Sequence, residues 1–140
     1  MQRNGSGRKS CGTHRKVLVV DDSEDNRVLL SHYLEEYDQE VVEAVDGHEA
    51  IDKFIENNAC IDLVLMDLQM PGCDGLSATQ RIREWEKAHS VPRVPIVVLS
   101  AHATESHRSS SFNAGCDEFV IKPIRRKRLK KIMAQFISDR

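Results

Sequence analysis

Five short apolar runs recur along this chain, and segments of helical period separate them. The runs are KVLVV (16–20), EVVEAV (40–45), IDLVLM (61–66), VPIVVLS (94–100) and EFVI (118–121). Between them, apolar residues fall near a spacing of 3.6. They are Leu29, Leu30, Tyr33, Leu34 and Tyr37 after the first run, with Asn26 in phase, then Ala50, Ile51, Phe54 and Ile55 after the second. Leu76, Ala78, Ile82 and Trp85 follow the third. A shorter segment, ESHRSSSFNAG, closes on Gly115, a usual helix stop, and the segment from Pro123 onward forms a final helix. Strands that read as unbroken apolar runs are buried on both faces. Five strands alternating with five helices therefore predict an α/β fold: a doubly wound, five-stranded parallel sheet with helices on both faces, flavodoxin-like in its repeated βα units.

In such sheets function gathers at the carboxyl ends of the strands. The first run ends at Asp21 and Asp22, the third at Asp67, the fourth at Ser100 and the fifth at Lys122 and Pro123. Three carboxylates on one sheet edge repel and raise one another's pKa. A hard dication relieves that repulsion, and carboxylates with water suit Mg²⁺. Add an ammonium and a hydroxyl, and the edge becomes a receptor for a phosphoryl group. Each piece alone has a plainer reading. An acid pair after a strand favours a helix N-terminus, and an acid behind an apolar strand caps a loop.

Together, the motifs VLVVDD, LMDLQMPGCDG, VVLSAHA and FVIKPI, in this order and each at a strand end, resemble response-regulator receiver domains, the CheY-like family of two-component and phosphorelay signalling. The resemblance covers about residues 16–138. It brings with it the strand order 2-1-3-4-5, which is that of the family's type member and does not come from spacing. It implies that Asp67 is the phosphoacceptor, that Asp21 and Asp22 hold Mg²⁺ with Asp67, and that the backbone carbonyl of Gln69 is a further ligand. Lys122 would contact the phosphoryl oxygens. Ser100 would be the switch hydroxyl, and Phe119 the aromatic that turns inward with it. Gln69 and His102, two residues after the acceptor and the switch serine, would tune phosphate lifetime. Pro123 matches a proline that often follows a cis peptide bond.

The implied function is that of a signalling domain and not an enzyme, apart from self-phosphorylation from a phosphohistidine donor and slow autodephosphorylation. Its partners would be a histidine kinase or histidine phosphotransfer protein, and a downstream protein at the last two helices and last strand. A phosphorylation-dependent dimer belongs to the same expectation. The chain would be the receiver of a hybrid histidine kinase or a single-domain regulator. Phosphorylation adds roughly −1.5 to −2 charges and three acceptor oxygens, and the Ser100 hydroxyl is expected to gain an acceptor it lacked. A full population shift needs about 5 kcal/mol between states, more than the roughly 1.5–3 kcal/mol of one charge-assisted hydrogen bond. An aspartyl-phosphate phosphohydrolase is the competing class, but it needs an acid where Gln69 stands and a cap domain. A flavodoxin-type cofactor binder lacks its phosphate loop here. A pseudo-receiver that binds partners without phosphorylation is the third alternative.

Charge is distributed unevenly. Residues 1–16 carry five Lys/Arg and no acid, residues 17–121 carry 21 acids against seven Lys/Arg, and 122–131 add seven more basic residues. Residues 1–15 read as a flexible basic tail or linker, and 16–140 as the receiver domain. The run RRKRLKK has no interleaved aromatic and no reader motif after it, which argues against direct nucleic-acid binding. It reads as a solvated face or as a docking surface for an acidic partner. Arg125 stands where a capping Asp, Ser or Thr is frequent. No apolar run approaches the ~20 residues of a membrane span, and no apolar signal core opens the sequence. Cysteines 11, 60, 73 and 116 form no C-x-x-C pair, so they are expected to be reduced thiols, with Cys60 buried, in a cytoplasmic protein. The histidines at 14, 32, 48, 89 and 107 are expected at the surface, and Trp85 over a helix–sheet gap.

Overall fold

The computed structural model describes residues 15–70 and 72–137. The elements follow in strict alternation: β1 (Lys16–Val20), α1 (Glu24–Leu34), β2 (Glu40–Ala44), α2 (Gly47–Asn57), β3 (Ile61–Asp67), α3 (Gly75–Ala88), β4 (Ile96–Ser100), α4 (Glu105–Ala114), β5 (Glu118–Ile121) and α5 (Arg126–Ile137). All pairings are parallel, in the order β2-β1-β3-β4-β5. Residues 1–14 of the expected basic tail lie outside the described residues. Its last residue, Arg15, is bound into the fold: the guanidinium grips the buried Asp62, and the Arg15 carbonyl accepts from the Glu40 amide at 2.8 Å.

The period-2 alternation of strand side chains divides the core in two. Val17, Val19, Leu63, Leu65, Val97, Leu99 and Val120 face α1 and α5, meeting Leu30, Leu34, Leu129, Ile132 and Met133. Leu18, Val20, Val64, Met66, Ile96, Val98 and Phe119 face the other layer, meeting Ala50, Phe54, Ala78 and Ile82 of α2 and α3. β3 is buried at every residue, whereas the edge strand β2 is mostly half-exposed or exposed. Four of the helix starts carry side-chain caps, with Ser23, Asp46, Asp74 and Thr104 each accepting a backbone amide three residues on. α5 begins without an acid in its first turn; the Arg125 carbonyl accepts from the Leu129 amide at 2.9 Å.

Several side-chain expectations need correction. Leu29 and Ile55 are exposed at the margins of their helices instead of buried in the predicted faces. Trp85 packs against the core on the α2–α3 side, meeting Phe54 of α2 edge-on at 6.0 Å, with His89 stacked on it at 4.2 Å. Cys60 is half-buried and disulfide-bonded, while Cys73 and Cys116 are free. The expectation of a reduced and buried Cys60 is corrected, and thiol spacing gives no argument for a reducing compartment. No helix among the described residues is long and apolar enough to cross a membrane.

A polar network braces the β4–β5 side. Arg83 of α3 donates to Gly115 O, Glu86 Oε1, Val94 O and Asp117 Oδ2, at 2.8–2.9 Å. Glu86 is buried, and its second oxygen accepts from the Val94 amide. Removing one partner of a buried pair leaves the other charge uncompensated. Arg83→Ala should therefore lower unfolding free energy by about 3 kcal/mol, read by urea denaturation. A loss below ~1 kcal/mol would show that the network adds little.

Candidate functional site

The carboxyl ends of β1, β3, β4 and β5 converge as the alternation requires. Asp67 ends β3 and is almost fully buried, with Asp21 beside it after β1 and equally buried. Asp22, its side chain turned outward, is exposed. One oxygen from each of Asp21, Asp22 and Asp67 lies within 4.8 Å of the others. Lys122, after β5, spans the gap: its Nζ is 3.1 Å from Asp67 Oδ1 and 3.2 Å from Asp21 Oδ2. The Lys122 amide donates to the Ser100 carbonyl at 2.7 Å, which ties the lysine to the end of β4. The Lys122–Pro123 peptide bond is cis.

Each acid is held from its own side. The Ser23 amide donates to Asp21 Oδ1 at 2.9 Å, and Asn26 Nδ2 donates to Oδ2 at 3.3 Å. The Gln69 amide donates to Asp67 Oδ1 at 3.3 Å. The loop after β3 must then turn tightly into α3. A Cβ on Gly75 would stand 2.3 Å from the Asp67 carbonyl oxygen, so only glycine lets α3 start this close to the strand end.

Electrostatics follow from this packing. Burial, and then the Asp21 charge, push the Asp67 carboxyl up to about 6, although Lys122 and the Gln69 amide pull the other way. Burial works to lower the Lys122 ammonium, but Asp67 and Asp21 outweigh it, and the group sits above its usual value. One ammonium thus faces three carboxylates. An all-oxygen donor set with excess negative charge fits a hard divalent cation and not a soft one. The residues present therefore fit the metal the sequence implies, with Asp21, Asp22 and Asp67 able to hold it.

Ser100 is fully buried, and its hydroxyl already has partners. It accepts from the His102 amide at 3.0 Å, donates to the His102 carbonyl at 3.1 Å, and lies 3.5 Å from Gln69 Nε2. The expectation that it gains an acceptor it lacked is corrected: it would exchange one acceptor for another. Phe119 is buried against the α2–α3 layer. Gln69 and His102 are exposed at the rim. Two residues escaped the sequence reading. Asn26 reads as a helix-face residue in the sequence, though its position five after Asp21, in the first turn of α1, puts it within reach of the acid. His107, expected at the surface, is half-buried, stacks on His102 with ring centroids 5.3 Å apart, and lines a groove with Gln69.

A buried acid at the centre of a doubly wound sheet, beside an acid pair and a lysine, defines a phosphoacceptor-type signalling class. A family profile described as "Response regulator receiver domain" matches residues 17–134, and the chain belongs to that family. It is 40% identical over 121 residues to "Sensor protein GacS" of Pseudomonas syringae pv. syringae, covering 86% of this chain and 13% of that protein. It is 44% identical over 108 residues to "Transcriptional regulatory protein ResD" of Bacillus subtilis, covering 77% of this chain and 42% of that protein. The chain thus spans less than half the length of these relatives. Among solved structures it resembles Vibrio cholerae chemotaxis protein CheY4, with a TM-score of 0.77 and 27% identity over 89% of this chain and 99% of that one. A second likeness is to the co-crystal structure of the Saccharomyces cerevisiae histidine phosphotransfer protein Ypd1 and the receiver domain of Ssk1, with a TM-score of 0.80 and 27% identity over 89% of each chain.

Because the Asp67 carboxyl is raised from an ordinary carboxylate value to about 6, the folded state binds its proton more tightly than the unfolded chain does. Its contribution to stability is then lost as pH rises from about 4 to about 6 in metal-free protein. Asp67→Asn should melt several degrees above the parent at pH 7.5 without divalent cation, and the gap should close toward pH 4. Equal melting at pH 7.5 would show that the charge is not strained.

Proposed function

We propose that this receiver accepts a phosphoryl group from a histidine kinase or a histidine phosphotransfer protein onto Asp67. The observation that carries the reading is Lys122 bridging Asp67 and Asp21 within a three-carboxylate cluster. An Asp67 oxygen forms the new O–P bond, the phosphohistidine N–P bond breaks, and the leaving imidazole takes up a proton from solvent. Asp21, Asp22 and Asp67 would hold Mg²⁺, with the Gln69 carbonyl as a further ligand, and the ion would supply charge neutralisation for the phosphoryl oxygens. Lys122 turns its ammonium from Asp67 to those oxygens. Asn26 and the Ser23 amide keep Asp21 in place throughout.

The Ser100 hydroxyl then leaves the His102 carbonyl for a phosphoryl oxygen. Coupled to Phe119, this alters the face of α4, β5 and α5, a local bond exchange that biases a two-state element. Phe112 and Ile121 are exposed on that face, and a groove of about 450 Å³ there runs over Phe119, Ile121 and Ile124 beneath Arg125, Lys127, Arg128 and Lys131. An acidic downstream partner suits it. Exposed Leu29 of α1 lines the pocket that holds Asp21 and Lys122, and with its exposed neighbour Val28 it offers apolar surface to the phosphodonor. Gln69 and His102 at the rim set how long the phosphoryl group survives.

Acetyl phosphate with Mg²⁺ should add one phosphoryl group by intact mass, and Asp67→Asn should add none. No uptake in the parent, with partner binding intact, would leave a phosphorylation-independent binding module. Sustained turnover of phosphate esters would make the protein a hydrolase.

A further inference from the structure

His102 reaches the site rim with its backbone fixed and its ring exposed. Both backbone groups are bonded to the Ser100 hydroxyl. Among the described residues, its side chain has one ring, hydrogen-bond or ion-pair partner, and that is His107. The rings lie 5.3 Å apart at 25°, in a stacked arrangement.

His107 is itself held at two points by one residue. Thr104 caps α4, its Oγ1 accepting the His107 amide at 3.2 Å. The hydroxyl hydrogen left over is available to His107 Nδ1, which is in direct contact with Oγ1. The ring is half-buried, and it walls a groove of about 560 Å³ with Leu68, Gln69, Met70, Asp74 and Leu76. It therefore touches the side of the pocket that carries Gln69 while its face supports His102. An exposed imidazole without such support would sample several rotamers.

We propose that His107 is a positioning residue for phosphate lifetime: from the first turn of α4 it holds the His102 ring at the mouth of the Asp67 site. The inference rests on the reading of Asp67 as acceptor and His102 as a lifetime residue. In the step concerned, a water oxygen attacks phosphorus and the P–O bond to Asp67 breaks. The carboxylate is regenerated, and both water hydrogens leave on dihydrogen phosphate. His107 touches none of these atoms; it acts through the ring it supports. When Ser100 turns to the phosphoryl group and releases the His102 backbone, the stack becomes the remaining restraint on that ring. Phosphate lifetime is then tied to the position of α4, so a ligand that moves α4 changes the decay.

The test uses the whole chain phosphorylated with acetyl phosphate and Mg²⁺, desalted, and followed by intact mass. His107→Ala should change the decay rate in the same direction and by the same factor as His102→Ala, about threefold to tenfold, the range that a ring pair is worth. The double variant should match the singles, and His107→Phe should restore parent-like decay by keeping a stacked ring. In unphosphorylated protein, the ring-proton resonances of His102 should lose their upfield stacking shift in His107→Ala and keep one in His107→Phe. Parent-like decay in His107→Ala while His102→Ala differs would overturn this inference alone, as would multiplying effects in the double variant. Unchanged decay in His102→Ala would overturn the lifetime role of His102 and this inference with it, leaving the acceptor reading standing; no uptake in the parent would overturn the acceptor reading and everything that rests on it.

Discussion

The ammonium of Lys122, shared between Asp67 and Asp21, is the interaction on which this site depends. Without it, two buried carboxylates would face each other across a few ångströms with the charge of Asp22 beside them. Even with Lys122 in place, burial and then the Asp21 charge hold the Asp67 carboxyl up at about 6. The lysine keeps the charged form accessible near neutral pH without satisfying it fully, since one cation faces three acids. That residual deficit is what makes the pocket receptive to a dication and a phosphoryl group.

The remaining architecture holds these charges still. β3 lies at the centre of the sheet, covered on both faces, so the acceptor is anchored by neighbours on every side. Gly75 lets α3 begin against the strand end, which draws the Gln69 amide onto Asp67. Lys122 is placed by the hydrogen bond from its backbone amide to the Ser100 carbonyl, so the cation and the Ser100 hydroxyl share one backbone link. Movement at either is therefore felt at the other.

Much of this was legible before any coordinates. Unbroken apolar runs mark buried strands, and alternation with helical segments implies a parallel sheet, so Asp21, Asp67, Ser100 and Lys122 could be assigned to one edge. What spacing could not show was side-chain company. Leu29 and Leu30 have equal claims on a helix face, but only Leu30 meets the sheet. Ser100 reads as a free hydroxyl until its bonds to His102 are seen. His107 carries no strand-end signal; its place depends on how α4 lies against the loop after β3. Asp62 carries no signal within its apolar run, yet it is buried at a register shift between β1 and β3, neutralised by Arg15.

The central position of β3 has a consequence for how information is kept. Local openings of a folded chain begin at loops and edges and reach the most buried strand last. Asp67 rides on that strand, while Gln69, His102 and the segment after Lys122 belong to loops. Under the proposed function, the residue that stores the phosphoryl group rides on the most buried strand, and the residues that set its lifetime ride on loops. Lifetime could then be adjusted by loop sequence without loosening the store, a division of labour that would let one sheet serve timers of different speed.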